Sequence, residues 1–416
     1  MKFTVLTLGC KTNQAESTRI ERKLCESGHK VVDFKDKPDI CIINTCSVTA
    51  KAEQQSRQLI NKSFHNDIRV IVTGCYSELN YEKLKHTKPA IEIVRNKDKD
   101  NILKKIKVDS IGIIEDYSQP RHRPAVKVQD GCSNACSYCV IPMTRGRSIS
   151  LPIDEIMGEI SYYETMNYKE VVLTGIHLGA YGADLTPKVS LSRLLKTILN
   201  KTLTIRIRLS SIEVKEIDDE LLEVLSDRRI CRHLHIPLQS GDNRILMAMN
   251  RTYSVEDYLR IINKILYILN DTSLGTDVMV GFPGEKELEF RNTQQMLEDL
   301  QFSYLHVFSF SPRPGTNAAI FPEQVNEEIK KERSLTLRTL GELKKRRYIE
   351  SNIGKIKQVI IESKTAKGFT GTTEDYLKVF LPPDKGLEEG MLAKIRLGRY
   401  DNGRLIGIPL SILTSP

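Results

Sequence analysis

The sequence predicts an α/β protein in three parts. These are a doubly wound parallel α/β domain over residues 1–115, a partial (β/α)6 barrel over 122–350, and a small antiparallel β-barrel of OB type over 351–416. Three observations carry this reading. Short, continuously apolar runs alternate with helical patterns in the first part, as strands buried on both faces require. The alternation resumes after a polar, proline-bearing stretch and yields six strand–helix units. Beyond Lys355 the helical patterns stop, and short strands punctuated by Gly and Pro take over.

Hydrophobic residues make up 40% of the 416, enough to bury cores and to exclude wholesale disorder. The formal charge is +9, from 62 Lys plus Arg against 53 Asp plus Glu. It favours polyanionic partners only weakly, because it is spread along the chain. The opening Met1–Lys11 has too short an apolar run for a signal peptide. No run approaches the roughly 18 apolar residues of a membrane span. A cytoplasmic protein with reduced thiols is therefore expected. It has nine cysteines, and an odd count in a reducing compartment argues for metal over a disulfide framework.

In chain order, Phe3–Leu8 reads as a strand and Glu16–Cys25 as a helix ended by Ser27 and Gly28. Asp39–Asn44 is a second strand, Val48–Phe64 a helix, Arg69–Thr73 a third strand and Ile91–Val94 a fourth. Cys10, Cys46 and Cys75 each follow one of the first three strands. In an open parallel sheet those ends share one crevice, so thiols far apart in sequence meet in space. Each also precedes a helical stretch, whose N-terminal dipole favours thiolate. A catalytic thiol explains one of them, not three. Cys25, Cys41 and Cys231 read as ordinary buried residues.

The stretch Ser118–Arg123, with Pro120 inside it and Pro124 next, suits a domain boundary. Ala125–Gln129 is a strand, and the loop leaving it carries Cys132, Cys136 and Cys139 in the spacing C-x3-C-x2-C. Thiols this dense bind metal, pair or react. Structural zinc normally takes four protein ligands, yet the next His is His177. A 4Fe–4S cluster suits three cysteines in one loop and leaves one iron open, and an open coordination position can bind substrate.

The barrel strands are Glu170–Gly175, Thr204–Leu209, His233–Leu238, Leu274–Val280 and Tyr304–Phe308. Helical patterns such as Pro152–Asn167, Val255–Asn270 and Glu287–Leu300 separate them. The site of such a barrel lies at the C-terminal strand ends. Those ends carry Thr174–Gly182, Ser210–Glu213, Gln239–Gly241 and Gly281–Glu285. Gly admits close backbone approach to a ligand, while hydroxyls and amides hydrogen-bond a zwitterion and a ribose. Any one such loop is equally a plain chain reversal; four on the face that carries the cysteines point to a ligand. His177 reads as a satisfied loop histidine, with a proton carrier as the alternative.

Asn326–Glu350 is helical and ends in the run Lys344–Arg347, either a solvated face or a polyanion contact. Short strands follow at Ile356–Glu362, Gly368–Thr372, Tyr376–Leu381, Met391–Leu397 and Arg404–Ile408. Alternation puts Tyr376 and Phe380 on one face, which favours core filling over stacking on bases.

The C-x3-C-x2-C loop with Tyr138 before its last cysteine resembles the signature of radical S-adenosylmethionine (SAM) enzymes. The resemblance continues through His233–Gly241, Met249–Arg251 and Asp277–Glu285. With Cys10, Cys46 and Cys75 upstream it narrows to the methylthiotransferases, and the tail resembles their RNA-binding TRAM barrel. This likeness implies two 4Fe–4S clusters. One, on Cys132, Cys136 and Cys139, chelates SAM and splits it to a 5′-deoxyadenosyl radical. The other, on Cys10, Cys46 and Cys75, holds a methylated sulfur, with a second SAM as methyl source. Tyr138, Thr174, Gly175, Ser210, Gln239, Ser240 and Gly281 would then contact SAM.

Thr174–Gly182 and Ser210–Glu213 resemble the branch that acts on N6-threonylcarbamoyladenosine beside the anticodon of tRNA. The branches acting on N6-isopentenyladenosine or on an aspartate of a ribosomal protein are alternatives. A non-catalytic RNA-binding protein with structural metal is the alternative from another class. The implied partners are tRNA, a low-potential electron donor and a sulfur donor, with no membrane. Two residues depart from the family pattern: Val214 stands where Pro is expected, and Asp242 where Ser is expected.

Overall fold

A computed structural model describes residues 1–64, 68–99, 101–106, 121–413 and 415–416. The expected end of the first part at residue 115 lies outside the described residues, and so do the first three residues of the expected boundary 118–123. Among the described residues no helix is long and apolar enough to cross a membrane.

Five parallel strands form the first sheet, in the order Lys30–Val31, Lys2–Thr7, Ile40–Thr45, Arg69–Gly74, Glu92–Ile93. Ile40–Thr45 is buried throughout, as its unbroken apolar run requires. The edge strand Lys30–Val31 is two exposed residues, too short to leave a pattern. The first helix runs Lys11–Glu26, with Cys10 as its N-cap, so it starts well before the expected Glu16. Its opening turns bury Thr12, Asn13 and Glu16, polar residues that mask the helical period until Ile20.

The barrel comprises the parallel strands Ala125–Lys127, Glu170–Thr174, Arg206–Leu209, His233–His235, Ser273–Val280 and Tyr304–Ser309. They make two three-stranded sheets joined through an Ile207–Ile230 bridge. Among the described residues the first and last strands do not pair, so the barrel is open there. Val126, Leu173, Ile207, Leu234 and Val278 point outward into one core shared with the surrounding helices. The expected strand Ala125–Gln129 breaks at Val128. Gln129–Asp130 turns away to pair antiparallel with Ile149–Ser150, a clasp that ties together the two ends of the cysteine loop.

The helix Glu327–Asn352 leads to the tail. Lys344 is buried on it, and its Nζ donates to the carbonyls of Glu298 at 3.0 Å and Leu300 at 2.7 Å. The basic run is therefore not a uniformly solvated face. The tail is a closed barrel in the order Ile356–Thr365, Gly368–Thr373, Lys378–Leu381, Arg404–Leu413, Leu392–Asp401. Its pairings are antiparallel except one: Val379 and Phe380 lie parallel to Leu405 and Ile406. The expected core pair Tyr376 and Phe380 does not form. Tyr376 sits before the strand at φ 73° and stacks on His233 of the large barrel, ring centroids 4.4 Å apart. With the strand starting at Lys378, the inward set is Val379 and Leu381, and Phe380 faces out beside Arg404.

A buried charge cluster joins the two barrels. Glu170 pairs with Arg206 at 2.6 Å, Arg208 at 2.7 Å and Arg123 at 3.5 Å. Arg208 also donates to the Thr373 carbonyl of the tail at 2.9 Å. Burial works against ionising Glu170, but the three guanidinium groups outweigh it and hold the carboxyl well below its ordinary range.

Candidate active site

Backbone contacts pin the cysteine loop from both sides. Ser137 N–H donates to the Met249 carbonyl at 3.0 Å, and Asn250 Nδ2 donates to the Ala135 carbonyl at 2.7 Å. Ala318 N–H donates to the Ser137 carbonyl at 2.8 Å. Donors also face the sulfurs: Arg251 Nη1 lies 3.5 Å from Cys136 Sγ, and Asn134 N–H 3.4 Å from Cys132 Sγ. His177 Nδ1 lies 3.7 Å from Cys132 Sγ, and its other nitrogen pairs with Glu216. His177 thus packs on the cysteine loop. Burial pushes the Cys139 thiol up to about 12 and raises that of Cys136. Free thiols so raised are poor nucleophiles, whereas metal ligation deprotonates them. The donor set suits an iron–sulfur cluster: three sulfurs in one loop, N–H donors on two of them, and Arg251 to offset negative charge.

Tyr138 is half-buried with its ring edge-on to Phe282 at 6.3 Å, against a cluster that includes Ile245, Met249 and Phe310. The other residues singled out in the sequence all lie at the barrel end that carries the cysteine loop. Ser210 Oγ is buried without a hydrogen-bond partner, so it has capacity left for a ligand. Thr174 Oγ1 is 3.5 Å from Thr12 Oγ1, and Ser240 Oγ is 3.3 Å from Thr293 Oγ1; both hydroxyls are engaged within the fold. Gly175 packs so closely that a Cβ would lie 2.9 Å from Gln129 Oε1, the atom that accepts from His177 N–H at 2.8 Å. Gln239, at φ 67°, donates its N–H to the Asp277 carbonyl at 2.8 Å. Gly281 has φ 71°, and a Cβ there would fall 2.3 Å from Lys330 Cγ, so only Gly fits. The sequence had marked Glu213 and Arg251 without a role. They form an ion pair beside Cys136, a contact across 115 residues that only the fold reveals.

The upstream trio also converges. Cys10 is exposed, while Cys46 and Cys75 are buried. Gly9, at φ 98°, lets Cys46 pack on the Cys10 turn; a Cβ would fall 2.7 Å from Cys46 Sγ. Burial pushes the Cys46 thiol up to about 11, and the neighbouring sulfurs of Cys75 and Cys10 add to this.

One buried polar bridge links the trio to the triplet. Cys10 Sγ is 3.9 Å from Asn13 Oδ1, and Arg145 Nη2 donates to that oxygen at 2.5 Å. Arg145 Nη1 donates to Asp130 at 2.7 Å and to Glu16 at 2.8 Å. Glu16 also meets Lys99 and Lys127. Burial opposes its ionisation, but Lys99, Arg145 and Lys127 hold its carboxyl well below the usual range. A second tie runs from Arg313 to Glu53 at 3.1 Å.

Comparison with known proteins accords with this two-part site. Residues 126–297 match the Radical SAM superfamily, and residues 2–96 match Uncharacterized protein family UPF0004. Threonylcarbamoyladenosine tRNA methylthiotransferase MtaB of Aquifex aeolicus is 35% identical over 91% of this chain and 96% of its own. The protein of that name from Bacillus subtilis is 34% identical over 97% of this chain and 96% of its own. The chain belongs to the radical SAM methylthiotransferases. The fold of this methylthiotransferase also resembles a solved structure, the radical SAM methyltransferase TsrM of Kitasatospora setae. That match has a TM-score of 0.57 at 13% identity and covers 77% of this chain and 75% of that one. In this methylthiotransferase the two matched segments meet at the Asn13–Arg145 bridge.

Proposed function

We propose that this enzyme converts N6-threonylcarbamoyladenosine beside the anticodon of tRNA to its 2-methylthio derivative, using two 4Fe–4S clusters and SAM. The observation that supports the reading is the buried bridge that runs from Asn13, next to Cys10, through Arg145 to Asp130 at the start of the cysteine loop. The relatives named for this substrate support the choice of nucleoside. Cys132, Cys136 and Cys139 would hold one cluster, and Cys10, Cys46 and Cys75 the other. When bound, these groups supply the electron that cleaves SAM and the site that presents the methylated sulfur. The chain's own residues orient and exclude. Arg251 and Asn134 hydrogen-bond cluster sulfurs, Ser210 offers a free hydroxyl, and Tyr138 packs a dry wall beside the triplet. Gly175, Gln239 and Gly281 shape the strand ends, and Thr174 and Ser240 brace them; this is where SAM would sit.

In this reading the division at residues 1–115, 122–350 and 351–416 separates sulfur delivery, radical generation and RNA grip. The tail carries ten Lys plus Arg against seven Asp plus Glu from Lys355 onward, which suits sequence-independent phosphate contact. A cytoplasmic setting, an electron donor and a sulfur donor follow from the chemistry proposed.

Nucleoside mass spectrometry of tRNA from a strain lacking the gene tests the substrate. The 2-methylthio-threonylcarbamoyl nucleoside should vanish and its precursor accumulate. Loss of a methylthio-isopentenyl nucleoside, or of ribosomal-protein methylthiolation, would move the enzyme to another branch. Anaerobic reconstitution should load about eight irons per chain, and stoichiometric zinc without SAM cleavage would indicate a non-catalytic metal protein instead.

A further inference from the structure

Away from the cysteines, the open side of the barrel carries a polar cluster that the chemistry above does not use. On the last strand Leu305 and Val307 pack outward against the helices. By alternation Tyr304, His306 and Phe308 face the barrel interior. On the neighbouring strand, register pairs Gly275 with Tyr304, Asp277 with His306 and Met279 with Phe308. Asp277 Oδ1 accepts from His235 Nε2 at 2.9 Å and from His306 Nδ1 at 3.3 Å. The Tyr304 hydroxyl stands 3.0 Å from His235 Nδ1 and 2.8 Å from His233 Nε2. Asp277, His235 and Tyr304 are thereby engaged with one another, while His233 keeps a buried Nδ1 without a partner. Burial opposes ionisation of Asp277, but the hydrogen bonds from His235 and His306 hold its carboxyl well below the ordinary range.

His306 differs from the rest. Its side chain is 53% exposed, and among the described residues it makes no hydrogen bond besides the one to Asp277. Its Nε2 is therefore left for a ligand. Beside it, one step nearer the cysteine loop, Phe308 is 40% exposed, unusual for a large aromatic on an inward face. Phe308 pairs with Met279, and Met279 packs on the same apolar cluster as Tyr138 of the cysteine triplet. The wall thus runs from an aromatic surface next to the triplet to a hydrogen-bonding group deeper in the barrel.

We infer that this wall seats the target nucleoside, with Phe308 against the purine and His306, braced by Asp277, reading the carboxylate that ends its N6 side chain. The inference rests on the threonylcarbamoyl reading, because that side chain is an acylated amino acid with a free carboxylate. Between Asp277 and this carboxylate the ring has one nitrogen facing each acceptor. Charge-assisted bonds of this kind are strong and directional. An isopentenyl chain would instead leave the imidazole facing hydrocarbon, and sites built to hydrogen-bond a polar group reject analogues that lack it.

The test uses reconstituted holoenzyme and three anticodon stem-loop RNAs that differ only at the N6 group: threonylcarbamoyl, its carboxamide, and isopentenyl. Binding is read by fluorescence anisotropy without turnover, and product by mass spectrometry. Iron content and SAM cleavage confirm that each variant is folded. The natural enzyme should prefer the carboxylate over the carboxamide by about 10- to 100-fold. His306→Phe should abolish that preference in both readouts, and His306→Gln, which keeps an N–H donor, should restore part of it. Phe308→Ala should weaken all three RNAs alike, by about tenfold or more.

If the natural enzyme modifies the threonylcarbamoyl RNA and His306→Phe keeps the full preference, the inference is wrong while the proposed function stands. If it does not modify that RNA, both fail. The three ligand atoms of His235, Asp277 and His306 also lie within 4.8 Å of one another, a spacing able to hold a metal ion. A preference lost on chelation, together with stoichiometric non-iron metal, would overturn direct reading by the ring.

Discussion

Two seams hold the molecule together, and they are built alike. At the first, between the sheet and the large barrel, Glu16 is buried among Lys99, Lys127 and Arg145. At the second, between the two barrels, Glu170 is buried among Arg123, Arg206 and Arg208. Each is one carboxylate among three cations, yet they differ in what else they touch. The first reaches Asn13 and Asp130, and through them both cysteine sets. The second ends on backbone carbonyls of Thr373 and Glu374 in the tail. The same device sits between the two cysteine sets at one seam and anchors the C-terminal barrel at the other. Burial and pairing alone do not separate these roles; the outer contacts do.

The strongest break in the comparison comes from the cysteines on either side of the first seam. Cys136→Ala should abolish SAM cleavage, by at least about a thousandfold. Cys46→Ala should leave SAM cleavage within a few fold and abolish methylthio product. Each variant should retain about four irons per chain, and anaerobic SAM-cleavage assays with product mass spectrometry check all of this. A Cys46→Ala enzyme that still forms product would remove the trio from sulfur delivery.

Next come the carboxylates themselves. Glu16→Ala and Glu170→Ala each strand buried cations and should cost about 3–5 kcal/mol of stability, measurable by denaturant titration. Activity at a temperature where both remain folded should then divide them. Glu16→Ala should uncouple SAM cleavage from product. Glu170→Ala should keep product formation on a short stem-loop and lose affinity for whole tRNA. Equal loss of coupling in both variants would erase the distinction drawn here.

Acid titration sharpens the shared half. Glu170 has its folded carboxyl depressed below the ordinary 4.5, so its stabilisation is present above that pH and lost as pH falls toward the folded value. Glu16 is depressed in the same direction. Urea midpoints taken from pH 6 down to pH 3 should fall less steeply for Glu170→Gln than for the natural enzyme, because one depressed carboxylate is gone. A parallel fall would mean that Glu170 is not charged in the folded state.

The smallest effects belong to the tail surface. Lys378→Ala should reduce tRNA affinity a few fold and lower the slope of log affinity against log salt by about one. Phe380→Ala, at the outward face beside Arg404, should weaken binding modestly with that slope unchanged.

The parts of this architecture legible in the sequence were those with a period or a spacing. Cys132, Cys136 and Cys139 announced a cluster loop because three thiols in one loop have few other uses. Cys10, Cys46 and Cys75 were legible through the apolar strands before them, since strand ends converge whatever the side chains. The seams were not legible. Glu16, Lys99 and Arg145 lie in polar stretches that read as surface, and only docking of one part on another buries them. For the same reason the helix appeared to begin at Glu16, when its first turns are polar because they face a neighbour. Tyr376 was misassigned by a register error: the strand begins at Lys378, and a small offset exchanges the inner and outer faces. His306 looked like one more residue of a barrel strand, because its exposure follows from the open side of the barrel and not from local pattern.

The first seam also sets an order of events during synthesis. Glu16 and Lys99 leave the ribosome before Lys127 and Arg145 exist, and chains fold N-terminal parts first. Until then Lys99 is the one cation of the seam that Glu16 can meet, and Asn13 lacks the guanidinium that later bridges it to Asp130. The turn that carries Cys10 therefore lacks its Arg145 brace until the start of the barrel has been made. Were the sulfurs of Cys10, Cys46 and Cys75 to take the second cluster proposed above, iron would meet Cys10 in that interval before Arg145 is there to hold its neighbour Asn13.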